Sequence, residues 1–212
     1  MFGNMLMTTP QEEEGINLTE GLLAHYVLDG DAIDETGNYN GTEYNGATYI
    51  SAGPYDSIAY LDGYNDYIKS DIETSSEVIL FTAVLYNSGE GDSNPTIMML
   101  EDMFELYLNI SNKITMYSEW DGQTLFNYTL PEDTLVHIGV LIKDDDVKLY
   151  IDGLHEETEV FGISSGMTST SFMIGGEEST YNLAGLFRHV RIYTEEKSDE
   201  FMLAIYNNDI AA

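Results

Sequence analysis

Residues 25–41, HYVLDGDAIDETGNYNG, concentrate groups that could hold a cation or move a proton. Asp29, Asp31, Asp34 and Glu35 fall within seven residues, among glycines and asparagines. Carboxylates at this density can ligate calcium, form an acid pair, or fix tight turns. A helix–loop–helix calcium motif needs oxygen ligands at positions 1, 3, 5 and 12 and glycine at 6. Counted from Asp29, position 5 is Ile33, position 6 is Asp34 and position 12 is Asn40. The segment before the loop also reads as a strand. That motif is excluded. An irregular calcium site and a solvated turn held by side-chain–backbone bonds both remain.

Other chemistry is sparse. The chain has no cysteine, which excludes thiolate catalysis, disulfides and cysteine metal ligands. His25, His137, His155 and His189 lie in four different segments, none paired at i, i+2 or i, i+4. Each is expected at a strand position with a local partner, although distant segments can meet in space. Tyr39, Tyr44, Tyr49, Tyr55, Tyr60, Tyr64 and Tyr67 crowd together, and Trp120 is the only tryptophan. Tyr39, Tyr44, Tyr55, Tyr64 and Trp120 fall in or beside loops, where rings can stack on sugars or meet a partner. Tyr60 and Tyr67 are expected to fill core edges.

Strands must hold these residues. From Leu22 onward, apolar runs alternate with turn residues: LLAHYVLD, SIAYLDG, DYIKS, EVILFTAVLYN, TIMMLE, FELYLNIS, KITMYSEW, LVHIGVLI, VKLYID, TEVFGI, SFMIGG and AGLFRHVRIYT. The continuous apolar run in EVILFTAVLYN predicts a central strand buried on both faces. FELYLNI alternates Phe104, Leu106, Leu108 and Ile110 with Glu105, Tyr107 and Asn109, which predicts one core side and one solvent side. KDDD and Asp152-Gly153 suit hairpins, because Asp-Gly readily takes positive φ. One helix is predicted after the last strand. Ser198 caps it, Asp199 and Glu200 occupy its first turn, and Phe201, Met202, Ile205 and Tyr206 form its apolar face. Together these predict an all-β fold, a two-sheet antiparallel β-sandwich with one short C-terminal helix over residues 21–212.

Residues 1–20 read as an N-terminal arm. Phe2, Met5, Leu6 and Met7 make it apolar enough to dock on an assembly, against the alternative of a frayed end. The arm lacks a basic region followed by a sustained apolar stretch, so it does not read as a secretory signal.

Charge excludes whole partner classes. There are 38 acids against 7 Lys and Arg, a net of −31. A chain of this size exposes roughly 9,800 Å², which spaces net charges by about 18 Å, against a Debye length of about 8 Å in physiological salt. Nucleic-acid phosphates and anionic membranes need the Lys and Arg that are missing. No run of about 18 apolar residues occurs, so no membrane insertion is expected.

The order GLLAHYVLDGDAIDETGNYNGT, AYLDGYNDYI, FTAVLYN, HIGVLIKDDDVKLYIDG, FMIGG and LAGLFRHVRIYTEEKSDEFMLAIY resembles the laminin-G-like, concanavalin A-like lectin domain, from about Gly21 to Asn208. The resemblance implies a jelly-roll sandwich more firmly than a function. Similar domains bind glycans, bind proteins, serve as structural modules or hydrolyse glucans. It also implies calcium near the first strand–loop unit, with Asp29, Asp31 and Asp34 as candidate ligands by position. The glucanase branch carries alternating acids of the E-x-D-x-x-E kind on one strand, and no strand here has them. No catalytic residue is assigned and no enzyme activity is expected. The expected role is a non-catalytic structural or recognition module. One form is a virion surface protein, a capsid decoration or tail appendage subunit bound to capsid or tail proteins. The other is a lectin-like adhesion protein for neutral glycans, with calcium as its cofactor, at the cell surface of a salt-adapted microbe or outside it. A homo-oligomer is compatible with both.

Overall fold

The computed structural model describes residues 16–118, 122–161, 168–176 and 180–211. In chain order its strands are β1 (Leu22–Tyr26), β2 (Thr42–Tyr44), β3 (Thr48–Ala52), β4 (Tyr55–Asp62), β5 (Tyr67–Ser70), β6 (Val78–Gly91), β7 (Thr96–Leu100) and β8 (Phe104–Leu108). There follow β9 (Lys113–Ser118), β10 (Gly122–Thr129), β11 (Leu135–Lys143), β12 (Asp146–Ile151), β13 (Leu154–Val160), β14 (Phe172–Ile174) and β15 (Leu183–Tyr193), then helix α1 (Asp199–Ala211). One sheet runs β13-β12-β11-β6-β15-β4-β3, with β1 added against β15 as its eighth strand. The second runs β10-β9-β8-β7-β14-β5-β2. Every pairing between these strands is antiparallel. The predicted sandwich is the observed architecture.

The sheets close over a shared core. Strand β6 lies between β11 and β15, and every residue from Ile79 to Leu85 is fully buried, as its unbroken apolar run predicts. Phe81 meets Phe104 edge-on at 5.3 Å and stacks on Phe172 at 5.7 Å, which joins the two sheets. Strand β8 buries Phe104, Leu106 and Leu108 and half-exposes Glu105 and Tyr107, as its alternation predicts. Ile110 departs from that pattern and is 83 % exposed, because β8 ends at Leu108 and a turn over 109–112 breaks the alternation.

The outer face of the eight-stranded sheet divides into three zones. At one end Leu80, Leu141, Tyr150 and Tyr193 pack under Phe201, Met202 and Ile205 of α1. Phe201 N–H donates to the Ser198 hydroxyl at 3.3 Å, the predicted cap. Gly139 lets the helix approach, since a Cβ there would meet Met202 Cε at 2.3 Å. At the other end Tyr55, Ile58, Val84 and Leu186 form a smaller apolar cluster. Between them lies a polar band. A β-bulge on β15 helps to create it: Arg188 pairs with Val84 and Arg191 with Thr82, so three steps on β15 oppose two on β6. His189 takes φ +50° at the bulge. Phe187, Val190 and Ile192 thus join the inter-sheet core, while Leu186 and Tyr193 join the outer clusters.

The hairpin turn Asp152-Gly153 has φ +50° and +78°, the left-handed pair that its sequence predicts. Of the expected arm, Leu18 packs beside the α1 cluster and its carbonyl accepts the Tyr193 hydroxyl at 2.9 Å. Phe2, Met5, Leu6 and Met7 lie outside the described residues.

Candidate functional site

Asp34 is buried, and its carboxylate staples the acidic loop. Oδ1 accepts the N–H groups of His25 (2.9 Å) and Thr36 (3.0 Å). Oδ2 accepts the Thr36 hydroxyl (2.6 Å) and the N–H groups of Asn38 (3.1 Å) and Tyr39 (2.9 Å). Burial alone would raise its pKa, but these donors outweigh burial and hold it below the ordinary carboxylate value. Asp29 and Asp31 are exposed, and Asp31 accepts the N–H of Ile33 in a local turn. Among the described residues no three His, Asp or Glu side chains gather as a metal would need. The loop thus presents four N–H groups and one hydroxyl to Asp34.

The tyrosines disperse. Tyr39 is half-buried and its carbonyl accepts the Tyr26 hydroxyl at 2.7 Å. Tyr55, expected beside a loop, opens β4 and is buried under the C-terminal end of α1, where its hydroxyl donates to the Asp209 carbonyl at 3.2 Å. Tyr64 stands in solvent, 80 % exposed. Trp120 lies outside the described residues. Tyr44 remains as a surface platform. It stacks face to face on Tyr67, with centroids 4.6 Å apart and planes within 2°.

That stack belongs to the outward face of the seven-stranded sheet. Strand pairing sets a row across this face: Thr42, Lys69, Met173, Met99, Glu105, Tyr117 and Gln123, each directly opposite the next. The residues between them along each strand, such as Ile68, Phe172, Met98, Leu106 and Met116, turn inward to the core. A hollow of about 240 Å³ is lined by Met99, Glu101, Asp102, Glu105 and Tyr117. A second of about 200 Å³ is lined by Thr42, Tyr44, Tyr67, Lys69 and Asp71. Lys69 Nζ lies 4.0 Å from Glu101, a contact that bridges the two. The polar groups are held in place. The Ser171 hydroxyl donates to Glu101 at 2.5 Å, the Thr96 hydroxyl donates to Glu105 at 2.5 Å, and the Gln123 amide donates to the Tyr107 hydroxyl. Tyr117 is 43 % exposed and Tyr44 38 %. The face combines the exposed rings of Tyr44 and Tyr117 with positioned carboxylates, an amide and Lys69. Such a surface stacks on sugar rings and hydrogen-bonds hydroxyl groups, and its excess of acids opposes an anion. Sequence reasoning saw Tyr44 and the outward Glu105 and Tyr107. It missed Lys69, Glu101, Tyr117 and Gln123, whose juxtaposition depends on strand register. Tyr67, expected at a core edge, is buried and serves as the support of Tyr44.

A larger groove of about 590 Å³ lies on the opposite sheet, between Ile50, Tyr60, Tyr86, Leu135 and Leu186. Its polar edge is Asp133, which accepts the Tyr86 hydroxyl at 2.7 Å.

Three of the four histidines converge in the polar band of the eight-stranded sheet. His25 on β1 stacks on His189 on β15, with centroids 5.9 Å apart. Asp209 of α1 is fully buried among them. Its Oδ2 meets His137 Nε2 of β11 at 3.2 Å and accepts from the Arg191 guanidinium. Burial would raise the Asp209 pKa, but bonding to His137 and the Arg191 charge bring it down to about 2. Burial, with the charges of Arg191 and His189, lowers His25 to about 3. Burial, opposed by Asp209 and aided by Arg191 and Arg188, lowers His189 to about 4.

A family model described as the concanavalin A-like lectin/glucanases superfamily matches residues 62–200. No curated protein sequence matches the chain. Among solved structures, the chain is similar to domain 4 of AbnA, a GH43 extracellular arabinanase from Geobacillus stearothermophilus, in complex with arabinotriose. The TM-score is 0.71 at 19 % identity, covering 87 % of this chain and 98 % of that one. It is also similar to the receptor binding domain of botulinum neurotoxin mosaic serotype C/D (TM-score 0.71, 15 % identity, 92 % of this chain), of which it spans about half, 52 %. A Trypanosoma rangeli sialidase mutant matches with a TM-score of 0.70 at 10 % identity, over 91 % of this chain and 34 % of that one. At these identities the likeness concerns the fold.

Proposed function

The chain belongs to the concanavalin A-like lectin/glucanases superfamily, and from that premise we propose that it is a non-catalytic glycan-binding domain whose recognition surface is the outward face of the seven-stranded sheet. The observation that carries this reading is the row from Thr42 to Gln123, flanked by the Tyr44–Tyr67 stack. A sugar seated there would lie on Tyr44 or Tyr117 and exchange hydrogen bonds with Lys69, Glu101, Glu105 and Gln123. The solved arabinotriose complex of AbnA domain 4 supports a neutral oligosaccharide as the ligand class. Glu101, Asp102, Glu105 and Asp71 around the hollows argue in the same direction against an acidic sugar. The carboxylates of Glu101 and Glu105 are engaged by serine and threonine hydroxyls, an arrangement suited to positioning. The net charge of −31 further supports display on an outer surface, a virion's or a cell's.

Calorimetric titration of the full chain with neutral oligosaccharides, arabinotriose included, and with sialyllactose tests the proposal. Neutral sugars are expected to bind, without cleavage, and sialyllactose is not. Tyr44→Ala and Tyr117→Ala should each weaken binding by about 2- to 12-fold, the worth of one stacking contact. Silence across the neutral panel, or unaltered affinity in both variants, would refute it.

A further inference from the structure

The histidine band under α1 plays no part in the face proposed for glycans, and it buries His137, His189, Arg191 and Asp209 together. Asp209 is the single carboxylate that α1 brings to it, and Asp209 binds His137 and Arg191 at once. Opposite Asp209 the sheet supplies mostly cations or groups able to become cations. Arg188 Nε donates to His189 Nε2 at 3.3 Å, so that nitrogen must keep its lone pair and the ring must be neutral. His189 Nδ1 has no hydrogen-bond partner among the described residues. Tyr55 packs edge-on to His189 at 6.4 Å and donates to the Asp209 carbonyl, which links the imidazole to the end of the helix. The ionisable groups facing His189 are His25 from β1, Arg188 and Arg191 from β15, Tyr55 from β4, Asp209 from α1 and Asp29 from the acidic loop. His137 from β11 and its edge-on neighbour Tyr206 complete the band on the far side of Asp209.

We propose that this band makes α1 an acid-released latch: protonating His189 opposes its ring to Arg188 and lifts the C-terminal half of α1 from the eight-stranded sheet. A proton on Nε2 replaces an accepting lone pair with an N–H that points at another N–H. Two cations, a buried His189 and a half-buried Arg188, then adjoin each other, and Arg191 already occupies Asp209. Lifting the helix end admits water to both. The direction follows from linkage. The His189 pKa is depressed in the docked state, to about 4, so the released state binds more protons below its ordinary value of 6.5. Docking is therefore strongest above pH 6.5 and weakens as pH falls toward 4. If the released ring titrates normally, the opening constant rises about 70-fold between pH 7.5 and 4.5 from His189 alone. Release would uncover Tyr55 and His137 on the same outer face that carries the 590 Å³ groove.

Amide hydrogen exchange on the full chain, corrected for intrinsic rates, tests the latch. Protection over 203–209 should fall at least about 70-fold from pH 7.5 to 4.5, while β6 amides stay protected. His189→Asn suits the positive φ and cannot titrate, so it should shrink the fall by about that factor. Unchanged protection of α1 at pH 4.5, or an equal fall in His189→Asn, would overturn the proposal. Should that variant fail to fold, an NMR titration of the wild-type imidazoles decides: a His189 ring titrating near 6.5 in the docked protein refutes the latch.

Discussion

Replacing Asp209 with asparagine removes one charge and keeps the shape of the side chain. Asp209 is fully buried, and its partner Arg191 has a side chain only 5 % exposed. Without the carboxylate, the guanidinium stays in the sheet–helix interface with no full counter-charge. Removing one partner of such a pair costs about 3–5 kcal/mol. One effect opposes this. Asp209 sits in the last turn of α1, where a negative charge meets the negative end of the helix dipole, and its removal relieves about 0.3–1 kcal/mol. The ion pair dominates, leaving a loss of about 2–5 kcal/mol. For a domain of this size each kcal/mol moves Tm by about 2–4 °C, so the expected fall is about 4–20 °C. Scanning calorimetry at pH 7 and 0.15 M salt, with urea unfolding alongside, measures it. Arg191→Met on the Asp209→Asn background removes the stranded cation and should restore part of the loss. Stability within 1 kcal/mol of wild type for Asp209→Asn, or no recovery in the double variant, would refute the reasoning.

Asp34→Ala takes the acceptor from four N–H groups and the Thr36 hydroxyl and should cost at least about 3 kcal/mol at pH 7, read by urea unfolding. Because the Asp34 pKa is depressed on folding, this contribution is present above the ordinary carboxylate pKa and is lost as pH falls through the folded value. The gap between wild type and variant should close in acid. Salt should stabilise the whole chain, since screening shortens from about 30 Å at 0.01 M to about 8 Å at 0.15 M. A Tm that does not rise between those two conditions would contradict a surface dominated by mutual repulsion.

The sequence exposed the central strands and the helix because those elements bury continuous or regularly spaced apolar residues. It did not expose β2, β3 and β10. Each lies at an end of its sheet's strand order, and residues such as Thr42, Glu43, Thr48, Gln123 and Asn127 face solvent there. An edge strand has one ladder neighbour and little to bury, so its apolar signal fades. Tyr55 illustrates a second limit. It follows a Gly-Pro turn and reads as a loop residue, but the helix that covers it arrives from the other end of the chain. The histidine band is of the same kind. His25, His137, His189 and Asp209 share no local pattern, and only the pairing of β1 with β15 and the docking of α1 join them. The face proposed for recognition was half legible, because the alternation in β8 pointed Glu105 and Tyr107 outward, whereas their cross-strand companions were set by register.

The bulge at Arg188–Arg191 fixes the parity of the last strand. Upstream of it, even-numbered Leu186 looks outward; beyond it, odd-numbered Arg191 and Tyr193 do. Flattening the bulge with every residue kept would slip the downstream half by one position and turn it inside out, driving a guanidinium into the oily interior and stranding Val190 and Ile192 beneath the helix. Removing one residue at the bulge would instead leave a regular strand with both halves facing as they do now, so insertion and deletion at this spot are governed by counting.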